Sequence, residues 1–264
     1  MKERIITGVI AGLVFILLVL IGGFPFTLAI MLLASIGMIE LLRMRNITPS
    51  SFVGIVSLLF LWTLTIPNTW LELSFLIHIS REELILAFLL FLLALTVFTK
   101  NTFTFDDVGF IIISSVYVGF GFHFLIETRL LEQGLTLVFF ILFLIWSTDS
   151  GAYFAGRSFG KRKLWPEISP KKTIEGSLGG MFCALVIGLI FNAFFIVFDD
   201  LLKVILMIVV VSVIGQLGDL VESALKRHYS VKDSGHILPG HGGILDRFDS
   251  LIFVMPILYL FQFI

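Results

Sequence analysis

The chain has 264 residues, of which 58% are hydrophobic and only 14% are charged, and its mean hydropathy is +1.07. A water-soluble domain carries about a quarter of its residues as charged side chains, so this composition excludes a soluble protein and predicts an integral membrane protein. The net charge of −1 gives no sign of a polyanion-binding surface, so we expect the lipid bilayer as a partner and no nucleic acid.

Long apolar runs recur along the whole chain. A helix that spans a bilayer needs about 20 mostly apolar residues, and nine runs are candidates, at residues 5–22, 26–39, 52–66, 84–98, 108–126, 135–155, 174–198, 201–217 and 250–264. The predicted fold class is all-α, a polytopic integral membrane protein with about nine transmembrane helices. Several runs are short, so eight or ten crossings are alternatives. We divide the chain into N-terminal transmembrane helices, 1–131, and C-terminal transmembrane helices, 132–264, which carry the candidate site.

The basic residues are distributed unevenly between alternate loops. Of the 18 Lys and Arg residues, 15 fall on one side of the predicted membrane, and the other side has only Arg81, Arg129 and Lys203. Cytoplasmic loops are the ones enriched in Lys and Arg, which predicts a cytoplasmic N-terminus and, with nine crossings, a C-terminus outside. The expected location is the cell inner (cytoplasmic) membrane, with the functional site on the cytoplasmic face.

Polar residues inside the apolar runs are few, and most lie in the second half. We interpret His78 as a residue at the membrane interface and His123 as a partner in a hydrogen bond between helices. Asp149 lies near the cytoplasmic end of an apolar run, with hydroxyl residues on both sides. An ionisable group at that depth is costly unless it is paired, hydrated or bound to a cation, so it indicates a functional site. The alternative is an aspartate that reaches water at the helix end.

The segment 168–180, ISPKKTIEGSLGG, places two lysines and several oxygen-bearing side chains at the start of an apolar helix. Helix N-terminal amides and lysine charge together suit a phosphate group. The segment lacks the glycine-rich approach and the Gly-Lys-Ser/Thr order of a Walker loop, and an ordinary basic loop is the alternative. The candidate substrate-binding residues here are Ser169, Lys171, Lys172, Thr173, Glu175 and Ser177.

The densest polar stretch runs from residue 216 to residue 249. Asp219, Ser223 and Lys226 are spaced i, i+4 and i+7, which puts them on one helix face. After a loop rich in glycine, Asp246 and Asp249 follow at i and i+3 on the next helix. Carboxylates from two helices could hold Mg²⁺, which prefers one or two of them together with waters and phosphates. Acids and bases at one membrane edge favour a metal-assisted phosphoryl reaction over a solvated loop.

This stretch resembles a known signature. Residues 223–249, SALKRHYSVKDSGHILPGHGGILDRFD, are similar over 27 consecutive positions to the pattern of the phosphatidate cytidylyltransferase family, also called CDP-diacylglycerol synthase. The segments DSGAYFAGRSFGK and ISPKKTIEG also look like bacterial members, so the resemblance covers the second half. The positions that match the signature are Ser223, Lys226, Arg227, Lys232, Asp233, His241, Gly242, Gly243, Asp246, Arg247 and Asp249.

The resemblance implies a reaction in phospholipid biosynthesis. Phosphatidate and CTP would give CDP-diacylglycerol and pyrophosphate, with Mg²⁺ as cofactor, and the resemblance also implies a homodimer. We expect Asp219 and Asp246 to carry Mg²⁺ with Asp249 supporting them. The substrate-binding set adds Ser223, Asp233 and His241–Gly243 to the residues of segment 168–180. The basic residues expected to neutralise the triphosphate and the pyrophosphate are Lys226, Arg227, Lys232 and Arg247.

Two other classes use similar residues. A transporter of an anionic solute could bind its cargo with the same charged cluster, but transporters usually place polar residues near the bilayer midplane in two related halves. The two halves of this chain do not match, and its polar residues gather at one edge. A CDP-alcohol phosphotransferase would also use aspartates and Mg²⁺, but its DxxDGxxAR run is absent from this sequence.

Overall fold

The computed structural model describes residues 2–72 and 80–264, and these are mainly helical. His78, predicted to lie at the membrane interface, falls outside the described residues. In chain order the elements are α1 (Lys2–Ile21), α2 (Gly23–Met44), α3 (Phe52–Thr65), α4 (Asn68–Glu72), α5 (Arg81–Phe98), α6 (Phe105–Leu130), α7 (Gly134–Phe159), β1 (Lys163–Trp165), β2 (Ser169–Thr173), α8 (Ile174–Phe195), α9 (Leu201–His228) and α10 (Leu245–Leu260).

The long helices overlap the predicted apolar runs, and hydroxyl residues start several of them. Ser51, Ser80 and Thr104 are N-caps whose side chains accept hydrogen bonds from the first turns of α3, α5 and α6. Among the described residues, five helices are long and apolar enough to cross a membrane, namely α2, α6, α7, α8 and α9. The chain is therefore a multi-pass membrane protein, while the count of nine crossings and the orientation of the termini stay predictions.

A short β-hairpin interrupts the helices and departs from the all-α prediction. Strands β1 and β2 are antiparallel, with Lys163 opposite Thr173 and Trp165 opposite Ser169. The sequence hides this hairpin because Pro166 and its neighbours break the alternation of polar and apolar residues by which strands are recognised. The hairpin matters because it delivers segment 168–173 to the start of α8.

Helices α7 and α8 pack closely because glycines face each other between them. A β-carbon added at Gly151 would lie 2.6 Å from that of Cys183, and one added at Gly180 would lie 2.6 Å from the Thr148 carbonyl oxygen. Small residues let membrane helices approach with their backbones nearly in contact. This packing fixes the hairpin and the start of α8 beside the end of α7, where Asp149 lies.

Polar contacts also join helices of the first half. His123 is only 3% exposed, and its Nδ1 lies 3.5 Å from the Thr65 carbonyl oxygen at the end of α3, as expected for a hydrogen bond between helices. Arg45, just after α2, donates from Nε to Asp107 Oδ1 of α6 over 3.0 Å. That hydrogen bond raises the pKa of the Arg45 guanidinium above its usual value.

Candidate active site

The close crossing of α9 and α10 brings the two predicted acidic segments together. A β-carbon at Gly218 would lie 2.8 Å from the Asp249 carbonyl oxygen, so only glycine allows this approach. Below the crossing, the Ser250 hydroxyl donates to the Gly215 carbonyl oxygen over 3.0 Å. Asp219 and Asp249 therefore lie on neighbouring helices at the same level.

Three aspartates from three helices form what we call the aspartate cluster: Asp149 of α7, Asp219 of α9 and Asp249 of α10. Their carboxylates are close enough to interact electrostatically with one another. Lys172, at the end of β2, places its Nζ 2.5 Å from Asp219 Oδ2, and Ser223 donates to Asp219 Oδ1 over 3.3 Å. The hairpin thus supplies a cation to an acidic group that would otherwise be strongly repulsive.

Asp246 lies in a different environment, saturated by donors. Its Oδ1 accepts from Lys226 Nζ over 2.7 Å. Its Oδ2 accepts from the amides of Ser234 and Gly243, each over 2.8 Å, and lies 2.9 Å from the Ser234 hydroxyl. Lys226 also forms an ion pair with Glu222, one turn earlier on α9. Lys226 is therefore held between two carboxylates, one from each of two helices.

The other predicted residues of segment 168–180 have mixed positions. Thr173 is the N-cap of α8 and accepts from the Gly176 amide over 3.1 Å, so it starts the helix. The Glu175 carboxylate accepts from the backbone amides of Lys161 and Arg162 and so closes the hairpin. Ser169 and Ser177 are half-buried, whereas Lys171 is exposed. Of this set, only Lys172 has a described contact with the aspartate cluster.

The loop between α9 and α10 carries the remaining signature residues. Lys232 and Asp233 are exposed, and Gly242 has a φ of +81°, which favours glycine. A β-carbon at Gly242 would collide with Asp246 Oδ2, so this glycine also admits the carboxylate. Arg227 donates from Nε to the Ile168 carbonyl oxygen over 3.4 Å, which ties α9 to the hairpin.

A cavity of about 670 Å³ opens beside these residues and continues along apolar helices. Its lining includes Asp149, His241, Arg247 and Asp249. It also includes apolar residues of α1, α2 and α7, among them Leu18, Ala29, Leu32, Leu33 and Leu142. A larger cavity, of about 1230 Å³, lies between α5, α6 and α10, and its described lining contains none of the predicted site residues. Both cavities have charged and apolar lining residues, but among the described residues only the smaller cavity is lined by predicted site residues.

Sequence reasoning missed three polar residues at the site. Glu222 and Glu40 are buried, at 1% and 3% exposure, and Ser234 is 6% exposed. Both glutamates lie within or next to apolar runs, where an acid by itself indicates function, so that signal could have found them. Ser234 lies inside the signature loop but has no feature that separates it from an ordinary loop serine.

The donor set fits a magnesium ion better at the aspartate cluster than at Asp246. Mg²⁺ needs one or two protein carboxylates, and waters and phosphate oxygens complete its ligands. Within residues 2–72 and 80–264, no group of three or more His, Cys, Asp and Glu side chains could hold a metal ion alone. Asp219 and Asp249 are close enough to interact electrostatically and together would provide two carboxylates, and Asp219 is paired with Lys172. Asp246 directs its oxygens to Lys226 and to loop amides. Ligation by each of the three stays a prediction.

Known proteins resemble the chain over nearly its whole length. The sequence profile described as the cytidylyltransferase family matches residues 2–264. A phosphatidate cytidylyltransferase of Bacillus subtilis (strain 168) is 54% identical over 262 residues, which cover 98% of this chain and 96% of that protein. Proteins of the same name from Staphylococcus epidermidis (strain ATCC 12228 / FDA PCI 1200) and Staphylococcus aureus (strain COL) are 45% and 44% identical, over 98% of this chain and 97% of each relative. The resemblance seen in residues 223–249 is thus confirmed, and the chain belongs to the cytidylyltransferase family.

Proposed function

We propose that the chain transfers the cytidylyl group of CTP to phosphatidate, giving CDP-diacylglycerol and pyrophosphate for phospholipid synthesis. Relatives that bear the name of this activity match the chain almost from end to end. The lipid substrate is amphiphilic and the nucleotide is polar, so the enzyme must bring a membrane-bound headgroup and a soluble triphosphate to one place.

The cavity beside the aspartate cluster is the observation that carries this proposal. Its lining contains Arg247 and His241 together with two of the clustered aspartates, and most of its other lining residues are apolar. His241 Nδ1 is buried and has no hydrogen-bond partner among the described residues, so it is placed to bind an incoming polar group. A phosphatidate headgroup would lie against these charged residues while an acyl chain follows the apolar lining residues of α1, α2 and α7.

The chemistry requires alignment and charge neutralisation rather than a strong base. An oxygen of the phosphatidate phosphate, already anionic, forms a bond to the α-phosphorus of CTP, and the bond from that phosphorus to the bridging oxygen of the β-phosphate breaks. The electron pair leaves with pyrophosphate. Positioning two anions against each other is the main barrier, and preorganised cations lower it. Lys172, Lys226 and Arg247 surround the aspartates from three elements and fit this role.

Magnesium dependence is part of the same proposal. Asp219 and Asp249 would hold the ion, which would neutralise the triphosphate and the leaving pyrophosphate. Asp246 would act in this state by orienting Lys226, and would become a ligand only by exchanging that lysine for the ion. Lys171 and Lys232, both exposed, would bind the nucleotide or the headgroup at the mouth of the site.

We also infer the setting of the enzyme from the sequence. The excess of Lys and Arg in alternate loops supports a cytoplasmic N-terminus and a cytoplasmic site in the inner membrane. Nine crossings would put the C-terminus outside. A homodimer is implied by family membership alone, and crosslinking of the protein in membranes would test it.

Purified protein incubated with labelled CTP, phosphatidate and Mg²⁺ tests the proposal directly. We expect labelled CDP-diacylglycerol and an equal amount of pyrophosphate, both dependent on the lipid. The control replaces phosphatidate by diacylglycerol, which lacks the attacking phosphate. Uptake of an anionic solute into vesicles without turnover would favour a transporter instead.

A further inference from the structure

Glu40, on the second helix, is a buried acid that the reaction scheme does not use. It lies near the end of α2 and is only 3% exposed. Burying a carboxylate is costly unless hydrogen bonds compensate it. Glu40 is not among the residues that line the cavity beside the aspartate cluster.

Three donors compensate Glu40, and all come from the segment that carries the signature. Its Oε1 accepts from the Ile244 amide over 2.8 Å, and its Oε2 accepts from the Leu245 amide over 3.0 Å. The Ser234 hydroxyl lies 2.9 Å from the same Oε2. These partners are separated from Glu40 by about 200 positions in the sequence. These hydrogen bonds therefore join the first half of the chain to the second half.

The first turn of α10 depends on Glu40 because the helix has no side-chain cap of its own. Ile244 occupies the N-cap position and its side chain makes no capping hydrogen bond. The first amides of a helix lack partners within the helix, and an acidic side chain near them is favoured by the helix dipole. Glu40 supplies from another helix what Ser, Thr or Asp usually supplies from the N-cap position.

The surroundings are shaped to seat this carboxylate. A β-carbon at Gly235 would lie 2.6 Å from Glu40 Oε1, and one at Gly243 would collide with the other oxygen. One turn earlier on α2, a β-carbon at Gly37 would lie 3.1 Å from the Leu245 side chain. Glycines on both sides thus let the loop and the helix close around Glu40.

The hydrogen bonds around Glu40 extend to Asp246, one of the acidic residues of the signature. The Ser234 hydroxyl lies between Glu40 Oε2 and Asp246 Oδ2, at 2.9 Å from each. Asp246 in turn holds Lys226, and Arg247 and Asp249 follow on the same helix start. A shift of this turn would move an acid, a base and a candidate metal ligand together.

We propose that Glu40 is a positioning residue for the cytidylyl transfer: it caps α10 and clamps the loop 234–243, and so fixes Asp246, Arg247 and Asp249 against α9. The inference rests on the proposed function for its kinetic test, but the clamp itself is a structural claim. Glu40→Gln is the informative change, because the amide keeps the size but can accept for only one of the two backbone donors.

Hydrogen exchange and kinetics together test the clamp. In Glu40→Gln we expect faster exchange of the amides of Ile244 and Leu245. We also expect kcat to fall roughly tenfold or more, because one unpaired buried donor disfavours the positioned arrangement of the site by about that factor. The KM for CTP should rise as well. A change in KM does not depend on the folded fraction, so a merely structural defect would leave it unmoved. Ser57→Ala is the matched control, because Ser57 is fully buried in α3 and its hydroxyl donates to the Val53 carbonyl oxygen of the same helix.

Two outcomes would overturn the inference. Wild-type exchange at Ile244 and Leu245 in Glu40→Gln would remove the clamp, and wild-type kcat and KM in that variant would remove its positioning role. If Glu40→Gln does not fold, Gly235→Ala decides, since it keeps the carboxylate but displaces it. Gly235→Ala should show the same faster exchange and the same rise in KM, and unchanged values would refute the proposal. Absence of turnover in the unmodified protein would instead refute the proposed function, while the exchange result would still stand.

Discussion

Replacing Asp219 and Asp246 separately by asparagine should give two different kinds of damage. Asp219 and Lys172 are 34% and 26% exposed at their side chains, so their ion pair contributes only about 0–1 kcal/mol to stability. Asp246 and Lys226 are 6% and 16% exposed, and breaking a buried pair costs roughly 3–5 kcal/mol. Lys226 keeps Glu222 as a second partner, so the lower end of that range applies.

The two asparagine variants also differ in what the new amide group contacts. At Asp246 it would turn an NH₂ group towards Lys226 or towards the two loop amides, all of which are donors. At Asp219 an asparagine can keep its oxygen on Lys172 and turn its NH₂ group towards the Ser223 hydroxyl, which can also accept. The lost charge at this position removes a candidate metal ligand. We therefore expect Asp219→Asn to fold like the wild type and to lose activity by about 100-fold or more, as when one group that stabilises transition-state charge is removed.

Tryptophan fluorescence during heating in detergent, followed by the labelled CTP assay on the folded fraction, measures both quantities. Asp246→Asn should lower the unfolding midpoint by several degrees more than Asp219→Asn does. Ser212→Ala is the control on the same helix, because the Ser212 hydroxyl donates to the Val209 carbonyl oxygen of α9 and the variant should retain most activity. Equal destabilisation by the two asparagine variants, or full turnover in Asp219→Asn, would refute this reasoning.

Three further predictions address the hairpin, the groove and the helix start. Lys172→Ala should lower kcat at least tenfold because it leaves Asp219 without its cation, whereas Lys171→Ala should raise the KM of one substrate more than that of the other; equal effects of the two variants on kcat would contradict this. Gly12→Leu should raise the KM for phosphatidate but not for CTP, because Gly12 lines the cavity with open space around it; Gly109→Leu, equally open but outside the cavity lining, is the control, and identical kinetics in the two would argue against the lipid groove. Thr173→Ala should reduce the free energy of unfolding by about 1 kcal/mol through loss of the α8 cap, and thermal unfolding with no shift in midpoint would show that the cap is dispensable.

The sequence predicted the helices well because their signal is local. Apolar runs of membrane length need no partner to be recognised, and the runs predicted at 52–66, 84–98 and 108–126 overlap α3, α5 and α6. The spacing of Asp219 and Ser223 placed them on one face, and they are in contact. The hairpin was missed because a five-residue strand that contains Pro170 has no periodic signal.

The partners of each charged residue were beyond the sequence because they depend on packing between distant helices. Asp246 was grouped with Asp219 as a metal ligand from chemistry and proximity along the chain, yet its contacts are with Lys226 and the loop. Asp149 joins Asp219 and Asp249 only because the α7–α8 glycines and Gly218 allow close crossings. The role of Glu40 depends on contacts with residues about 200 positions away, such as Ile244, and no local sequence pattern predicts such contacts.

The most direct test of the central claim is to locate a divalent cation in the protein bound to CTP. Mn²⁺ substituted for Mg²⁺ would reveal its position by anomalous scattering from crystals. The account predicts a single strong peak between Asp219 and Asp249, in contact with the triphosphate and lost in the Asp219→Asn variant. A peak coordinated by Asp246 and Glu222, with Lys226 displaced, would contradict it.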